Sequence, residues 1–581
     1  MSAGYPREIP RAGAALVLCL LSLVWKAGVP DSTFHMEVMS LMPSQETWLR
    51  GHEGGKRAWI VPSWNGRPRL NKPPMLVWLN LLAWSDMRPE SATVDDLIWR
   101  ARLLSAGLAC LGLLAVYAMG RFLGGRPLAW RAALAAGTTL FFIRQGRLAS
   151  YDTHLFSWVS VAVAFIWQAA RKARLGERPP AGAWGAALLA GAALALAVLT
   201  KGPIAFLFVL VPAASILWAL GPPRKPSFKL VLMMAATTFV LVSPWYAYVL
   251  HEFPGAGRVL LSEYRQARQN VQFPLYYLVL LALAFPWGFS LAGACGAFFS
   301  RPFRKSLAGK EWIPFVWLLG VLLVLSLPEA KRERYVFPAL PAAGLLIAQG
   351  WHWLEEHVRA RGAPAGWQRL LLDAHFGVLL ACSAAVAVYP PVQDVLLGQG
   401  LLKEAELPGL DWKTALPAGL VLFCLASWAF RSVRACRFDR AFALTAVWTA
   451  LASAFVLNFY VHSHHGRYGG RTAAEETAKL ARGISLFWLC LDPATDKEPD
   501  QKFLLYSRRI IPRIGPEDLK GFVESNLQVA VIAASDERHD RVLSGLGLKQ
   551  TLAFNDGRQS RTLFMSDESH SAEAAAPEEL P

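Results

Sequence analysis

Two aspartates and a scattered set of bases stand where the chain could do chemistry. Asp31 directly follows the first apolar run, and Asp152, in RLASYDTH, directly precedes another. Lys72 sits in NKPP, Lys201 in LTKGP, Arg265 and Arg268 in SEYRQARQ, and Lys331, Arg334 and Tyr335 in AKRERY. Glu37 adds a third acid six residues after the first. A carboxylate at such a boundary can take a proton from an attacking hydroxyl. Lysine and arginine can neutralise a phosphate as it leaves. Together these residue types point to displacement of a phosphate-linked group by a hydroxyl. Plainer readings stand beside this one. Asp152 precedes a helical run as an N-cap would, and terminal bases commonly snorkel to lipid headgroups. For Lys201, wedged into a helix break, a functional role is the better reading.

The elements that must position these residues are membrane spans. The chain has 581 residues, 54% hydrophobic and only 17% charged, with 23 tryptophans. Apolar runs of about twenty residues in so weakly charged a chain indicate transmembrane helices. Spans are expected near 12–29, 99–120, 129–146, 153–170, 183–200, 203–220, 228–250, 274–298, 313–328, 335–353, 370–390, 413–430 and 440–460, thirteen in all. The net charge of +17 argues for topology rather than for nucleic acid. Alternate loops such as GPPRKPSFK, SRPFRKSLAGK and HVRARGAPAGWQR hold the bases, and such loops face the cytoplasm. The N-terminus then lies inside, its first span retained, and an odd count puts the C-terminal segment outside. Arg144, Arg147, Lys201, Arg258, Arg265, Arg268, Lys331, Arg332 and Arg334 fall at the outer face against that rule, which asks for an anionic partner there. The seven cysteines form no CxxC pair or disulfide framework.

Between the first two spans, residues 30–98 form a polar, aromatic-rich outer loop, the expected reaction chamber. Within it, 45–58 (QETWLRGHEGGKRA) is expected as a mobile loop because of its glycines. Trp48, Trp59, Trp64 and Trp78 read as sugar-stacking rings or, for most of them, as an interfacial belt. A short amphipathic helix is expected around 257–268, placed to close over a bound lipid. Beyond residue 460, apolar strands alternate with amphipathic helices over 461–568, indicating a small α/β domain outside the membrane. The strand-like runs are LFWLCL, KFLLYS, QVAVIAA, KQTLAF and RTLFMS. Residues 569–581 read as a disordered acidic tail. His462, His464 and His465 lack the spacing and fourth ligand of a metal site.

The motifs DSTFHMEV, WIVPSWNGRPRLNKPP, RLASYDTHL, LTKGPIAF, SPWYAYVL, FPWG and LPEAKRERYVFPALPA occur in this order. The chain thereby resembles the integral-membrane glycosyltransferases of GT-C fold, with the bacterial aminoarabinose–lipid A transferases and protein O-mannosyltransferases nearest. The similarity covers about residues 12–350. It implies a polytopic α-helical membrane domain over 1–460, with the α/β domain following, and a polyprenyl-phosphate sugar as donor. The acceptor would be a glycolipid such as lipid A, a protein or a polysaccharide, at the outer face of a bacterial inner membrane. On the resemblance Asp31 and Asp152 are the catalytic acids, and Glu37, Lys72, Lys201, Lys331 and Tyr335 match further family positions. Arg265, Arg268 and Arg334 are helpers read from charge and position. Asp31 would be the base and Asp152 would orient the acceptor. The residues establish no cofactor, and a divalent metal on Asp31 and Asp152 stays open. Ser32 and Asn71 stand where the family often has acids, and Phe34 and His35 where it has Arg and Tyr, which weakens the metal reading. Two other classes fit the same spans: a flippase or transporter of a lipid-linked sugar, and a relative that binds the carrier lipid without transfer.

Overall fold

The computed structural model describes residues 8–28, 35–52, 56–174, 179–220, 227–265, 272–273, 275–362, 364, 366–399, 411–464, 470–525, 527–556 and 558–566. In chain order, α1 (Glu8–Val24) and α2 (His35–His52) lead to a hairpin, β1 (Ser63–Trp64) and β2 (Arg67–Pro68), and then α3 (Met75–Ala83). α4 (Val94–Gly137) bends at Gly124–Gly125, where the backbone leaves helical geometry and Pro127 follows. Next come α5 (Leu140–Gly146), α6 (Tyr151–Lys172), α7 (Ala181–Lys201), α8 (Ile204–Leu220), α9 (Ser227–Glu252) and α10 (Ala256–Arg265). They are followed by α11 (Leu280–Leu283), α12 (Gly288–Ala297), α13 (Arg301–Ser306), α14 (Ile313–Ser326), α15 (Leu340–Arg361), α16 (Gly366–Gly398), α17 (Trp412–Arg434) and α18 (Phe438–His464). The C-terminal elements are α19 (Gly470–Leu480), β3 (Ser485–Leu489), α20 (Gln501–Ser507), β4 (Arg513–Ile514), α21 (Pro516–Glu524), β5 (Val529–Ala534), α22 (Glu537–Gly545), β6 (Lys549–Asn555) and β7 (Ser560–Met565).

Each expected span meets helix. Among the described residues, however, eight helices are both long and apolar enough to cross a membrane. Of the others, the run near 274–298 is split into α11 and α12, α8 is 17 residues long, and α15, at 22 residues, is long enough but too polar over its second half. Phe228, Leu232, Phe239 and Val240 on α9 are exposed, as suits helices whose solvent is lipid.

Two compact units form. The first comprises 1–27, 70–76 and 102–463; the second comprises 28–69, 77–101 and 464–581. Most of the outer loop, which the sequence alone attaches to the membrane domain, therefore clusters with the C-terminal segment. In the first unit, fully buried Trp287, Trp317, Phe141, Phe142, Phe156 and Phe337 anchor the core.

In the second unit a five-stranded sheet runs β4-β3-β5-β7-β6. β3 pairs parallel with β4 and β5, while β7 pairs antiparallel with β5 and β6. Asn65 and Gly66, both at positive φ, make the tight turn between β1 and β2. The Asn65 side chain donates to Glu498 (2.6 Å) and the Ile511 carbonyl (2.7 Å), tying the outer loop to the C-terminal elements. Arg508 donates to the Ala92 and Pro89 carbonyls, and Arg471 pairs with Asp95 at 2.7 Å.

Three expectations are corrected. Residues 45–52 are not a glycine-rich loop but the end of α2, because Gly51 is the only glycine in that helix and the Gly54–Gly55 pair lies beyond it. KFLLYS is the helix α20, not a strand: Asp500 caps it by accepting from the Lys502 amide, and Phe503 to Ser507 are all buried. Trp48 is not at an interface; it is 2% exposed and packs edge-on against Trp84.

Candidate active site

Asp152 occupies the first turn of α6, but it does not cap the helix. Ser150 does, accepting from the Thr153 amide. That leaves the Asp152 carboxylate for side-chain partners. It is 1% exposed, and one oxygen is in a salt bridge with Lys201 while the other lies 3.6 Å from Arg334 Nε. Lys201 is the last residue of α7, where the helix C-terminus favours a cation as the N-terminus of α6 favours an acid. Gly202, with φ +78 and ψ −162, then turns the chain into α8. That backbone region is open essentially to glycine alone. The TKGP break therefore aims the lysine at the aspartate.

Arg334 and Tyr335 come from the 3-10 turn Glu333–Ala339 ahead of α15. The Tyr335 ring lies 5.2 Å from Lys201 Nζ and 5.5 Å from Arg334 Cζ, so it serves as a shared cation–π platform. Phenylalanine packing fixes the geometry from below. Phe156, one helical turn after Asp152, packs on Phe337 at 4.9 Å between ring centroids, and Phe141 meets Phe337 at 5.0 Å. Deleting a buried phenylalanine of this kind costs about 3–5 kcal/mol, so α6 and the 3-10 turn are held firmly together.

Of the residues singled out from sequence, the structure brings together Asp152, Lys201, Arg334 and Tyr335. Lys331 is 5% exposed and donates to the Pro328 (2.8 Å) and Gln272 (3.3 Å) carbonyls. It braces the approach to the turn. Arg144 forms a salt bridge with Glu333 next to Arg334. Lys72 is half-buried in the short 70–76 segment of the same unit. Glu37 is fully buried on the first turn of α2, in the second unit. Asp31, Ser32, Phe34, Arg268 and His465 lie outside the described residues, as do the side chains of His35, Arg265, His462 and His464.

Sequence reasoning missed several supporting residues. Arg102 donates to the Ala27 carbonyl (2.7 Å), and Arg147, expected from sequence to face an anion, donates instead to the Trp25 carbonyl (2.8 Å), so two buried arginines hold the chain as it leaves α1. Buried arginines in apolar runs were the available signal. His154 is fully buried, its Nε2 3.0 Å from Ser105 Oγ. Asp152 with two cations beside it is a poor ligand for a divalent ion, because its charge is already met. Among the described residues no three His, Cys, Asp or Glu side chains converge as a metal site.

A family model described as dolichyl-phosphate-mannose-protein mannosyltransferase matches residues 79–257. An undecaprenyl phosphate-alpha-4-amino-4-deoxy-L-arabinose arabinosyl transferase of Pseudomonas fluorescens is 24% identical over 376 residues, covering 62% of this chain and 59% of that protein. A protein of the same description from Sodalis glossinidius is 28% identical, covering 68% and 71%. The crystal structure of ArnT from Cupriavidus metallidurans bound to undecaprenyl phosphate superposes with a TM-score of 0.69 at 17% identity, over 99% of this chain and 100% of that one. The chain thus has the polytopic helical fold of an integral-membrane GT-C protein with a small C-terminal sheet domain. The resemblance to aminoarabinose and mannosyl transferases holds.

Proposed function

We propose that this chain is a glycosyltransferase that moves a sugar from a polyprenyl-phosphate carrier to an acceptor hydroxyl on a glycolipid such as lipid A, a protein or a polysaccharide. One observation carries the reading. Lys201 and Arg334 both meet the single charge of Asp152, which leaves one positive charge in a largely buried site. Such a surplus favours an anion, and a phosphodiester linked to a lipid is an anion delivered from the membrane itself. The mannosyltransferase model covers α6 and α7, which supply Asp152 and Lys201.

The reaction follows from these groups. The acceptor oxygen attacks the anomeric carbon as the carbon–oxygen bond to phosphate breaks, inverting that centre. Lys201 and Arg334 neutralise the charge growing on the departing phosphate. Asp152 holds the two cations in register and orients the acceptor. Asp31 takes the acceptor proton, worth about 10²–10⁴-fold in rate. Arg265 and Arg268, by their charge and place in the chain, and Lys72 and Glu37, by the resemblance, are assigned to substrate binding. The membrane is a bacterial inner membrane, with the N-terminus cytoplasmic and the C-terminal domain, 461–568, outside.

The test is transfer from radiolabelled polyprenyl-phosphate sugars by the purified protein in lipid, with Asp31→Asn and Lys201→Met beside it. Labelled product from the wild type alone supports the reading, and the productive donor names the sugar. No transfer to lipid, protein or glycan acceptors from any donor would overturn it in favour of carrier binding or transport.

A further inference from the structure

α15 begins next to Tyr335 and runs 22 residues to Arg361, so at 1.5 Å per residue its two ends are about 30 Å apart. A cavity of about 540 Å³ opens beside its far half, between Gly350 and Arg361, walled also by α12 and α16. It therefore lies toward the end of α15 remote from the Asp152 cluster. Its walls are mostly aromatic and small: Phe303, Trp351, Trp353, Trp367, Gly293 and Ala297.

Its polar groups stand at two levels. At the mouth, Arg361 is exposed and has no ion-pair partner among the described residues. Glu356 beside it has only His352, at 3.2 Å, which counters its charge when protonated. On the inner wall, His375 is 2% exposed and stacks on Trp287, and neither ring nitrogen has a hydrogen-bond partner. The Pro286 carbonyl is the polar neighbour of that ring and can take at most one N–H. An unpaired buried polar group costs about 1–3 kcal/mol, so the cavity contains an unmet demand for a polar ligand atom.

We infer that this cavity binds one glycerophospholipid with an amine-bearing headgroup, drawn from the leaflet opposite the candidate active site. A free phosphate would leave the aromatic walls unused, and a fatty acid would leave Glu356 facing a carboxylate. A zwitterion uses both mouth charges: its phosphate pairs with Arg361, and its ammonium meets Glu356 and the indole faces of Trp353 and Trp367. Below the headgroup, the acyl chain follows the small-residue wall past His375. This inference rests on the cavity alone and does not depend on the proposed transfer reaction.

Native mass spectrometry of the full chain, titrated with phosphatidylethanolamine or phosphatidylglycerol, tests it. The wild type should retain one phosphatidylethanolamine, about tenfold more tightly than phosphatidylglycerol. Arg361→Gln should weaken retention about tenfold, Glu356→Gln should remove the headgroup preference, and Lys310→Gln, an exposed change elsewhere, should do neither. Gly293→Leu should abolish retention, since a Cβ there already stands 2.9 Å from Leu371 and 3.8 Å from Trp367. Wild-type retention by Arg361→Gln, or equal binding of the two lipids by the wild type, would overturn the proposal. Both outcomes can be read even if Gly293→Leu fails to fold.

Discussion

Two charge clusters of the membrane unit are each built around a buried ion, Asp152 in one and Arg131 in the other, and their ion counts set them apart. At one, Asp152 faces Lys201 and Arg334, one acid against two bases. At the other, Arg131, 2% exposed, bridges Glu355 on α15 (2.6 Å) and Asp439 on α18 (3.1 Å), and Glu355 also pairs with Arg359. Two acids meet two bases there, so the cluster is neutral by itself. A balanced set ties helices together and asks nothing of a ligand. An unbalanced one carries a field that a bound anion completes. Burial alone does not separate a brace from a site; the residual charge does.

Four substitutions or conditions would break or sharpen this contrast. The largest effect on function should follow Lys201→Met, which removes the surplus charge while Arg334 still covers Asp152. Sugar transfer should fall about 10²–10³-fold, read from initial rates, with the thermal midpoint little changed. Loss of folding in place of loss of rate would place Lys201 among the braces.

Arg131→Met should do the reverse. It removes the charge that ties Glu355 to Asp439, and although Glu355 keeps Arg359 and Asp439 is half exposed, thermal unfolding in detergent should shift downward. Specific activity of the folded fraction should stay near wild type, and a selective loss of transfer would erase the distinction drawn here.

Gly202→Ala tests the geometry rather than the charge. Forcing a side chain into that backbone region costs about 1–3 kcal/mol, and relief of the strain should swing Lys201 from Asp152. Transfer should drop about tenfold for a 1.4 kcal/mol misplacement, and unchanged kinetics would show that the turn tolerates alanine.

The smallest effect concerns a balanced pair outside the membrane. Asp556 is fully buried against Arg561. Burial opposes its ionisation, but the Arg561 charge and hydrogen bond, with the Gln559 and Arg558 amides, outweigh it and hold the carboxyl below its ordinary value of 3.8. The unfolded chain then binds the proton more readily than the folded one. Its stabilisation is present above pH 3.8 and fades as pH falls through the lower folded value. The opening free energy of β5–β7, taken from hydrogen exchange corrected for the intrinsic rate at each pH, should be flat near neutrality and fall below about pH 4, whereas Asp556→Asn should flatten that fall. An acid response identical in the two proteins would remove Asp556 from the account.

Much of the fold was legible because its signals are local. Apolar runs, base-rich alternate loops and the TKGP and YDTH boundaries each occupy a few consecutive residues. Thus α6, α7 and α9 lie almost where the hydropathy puts them, within two residues at each end. The helix α2 was misjudged at its C-terminal end because glycines just beyond it were weighed with the residues inside it. KFLLYS was misjudged because six residues show no period that separates a buried helix from a strand. The partners of Arg102 and Arg147 and the Phe156–Phe337 packing were unreadable for a different reason: those partners are tens to hundreds of residues away, and nothing local names them.

By itself, then, the order of residues determined the membrane class, the boundary positions of Asp152 and Lys201, and the turn that a glycine after that lysine permits. These follow from hydrophobicity and backbone sterics, which act over a few residues. Tertiary structure alone decided that Asp152, Lys201 and Arg334 share one site, that Lys331 braces carbonyls, and that Arg131 is balanced by two distant acids. Charge pairing in a membrane interior depends on which helices pack side by side, and that choice is made by surfaces remote in sequence.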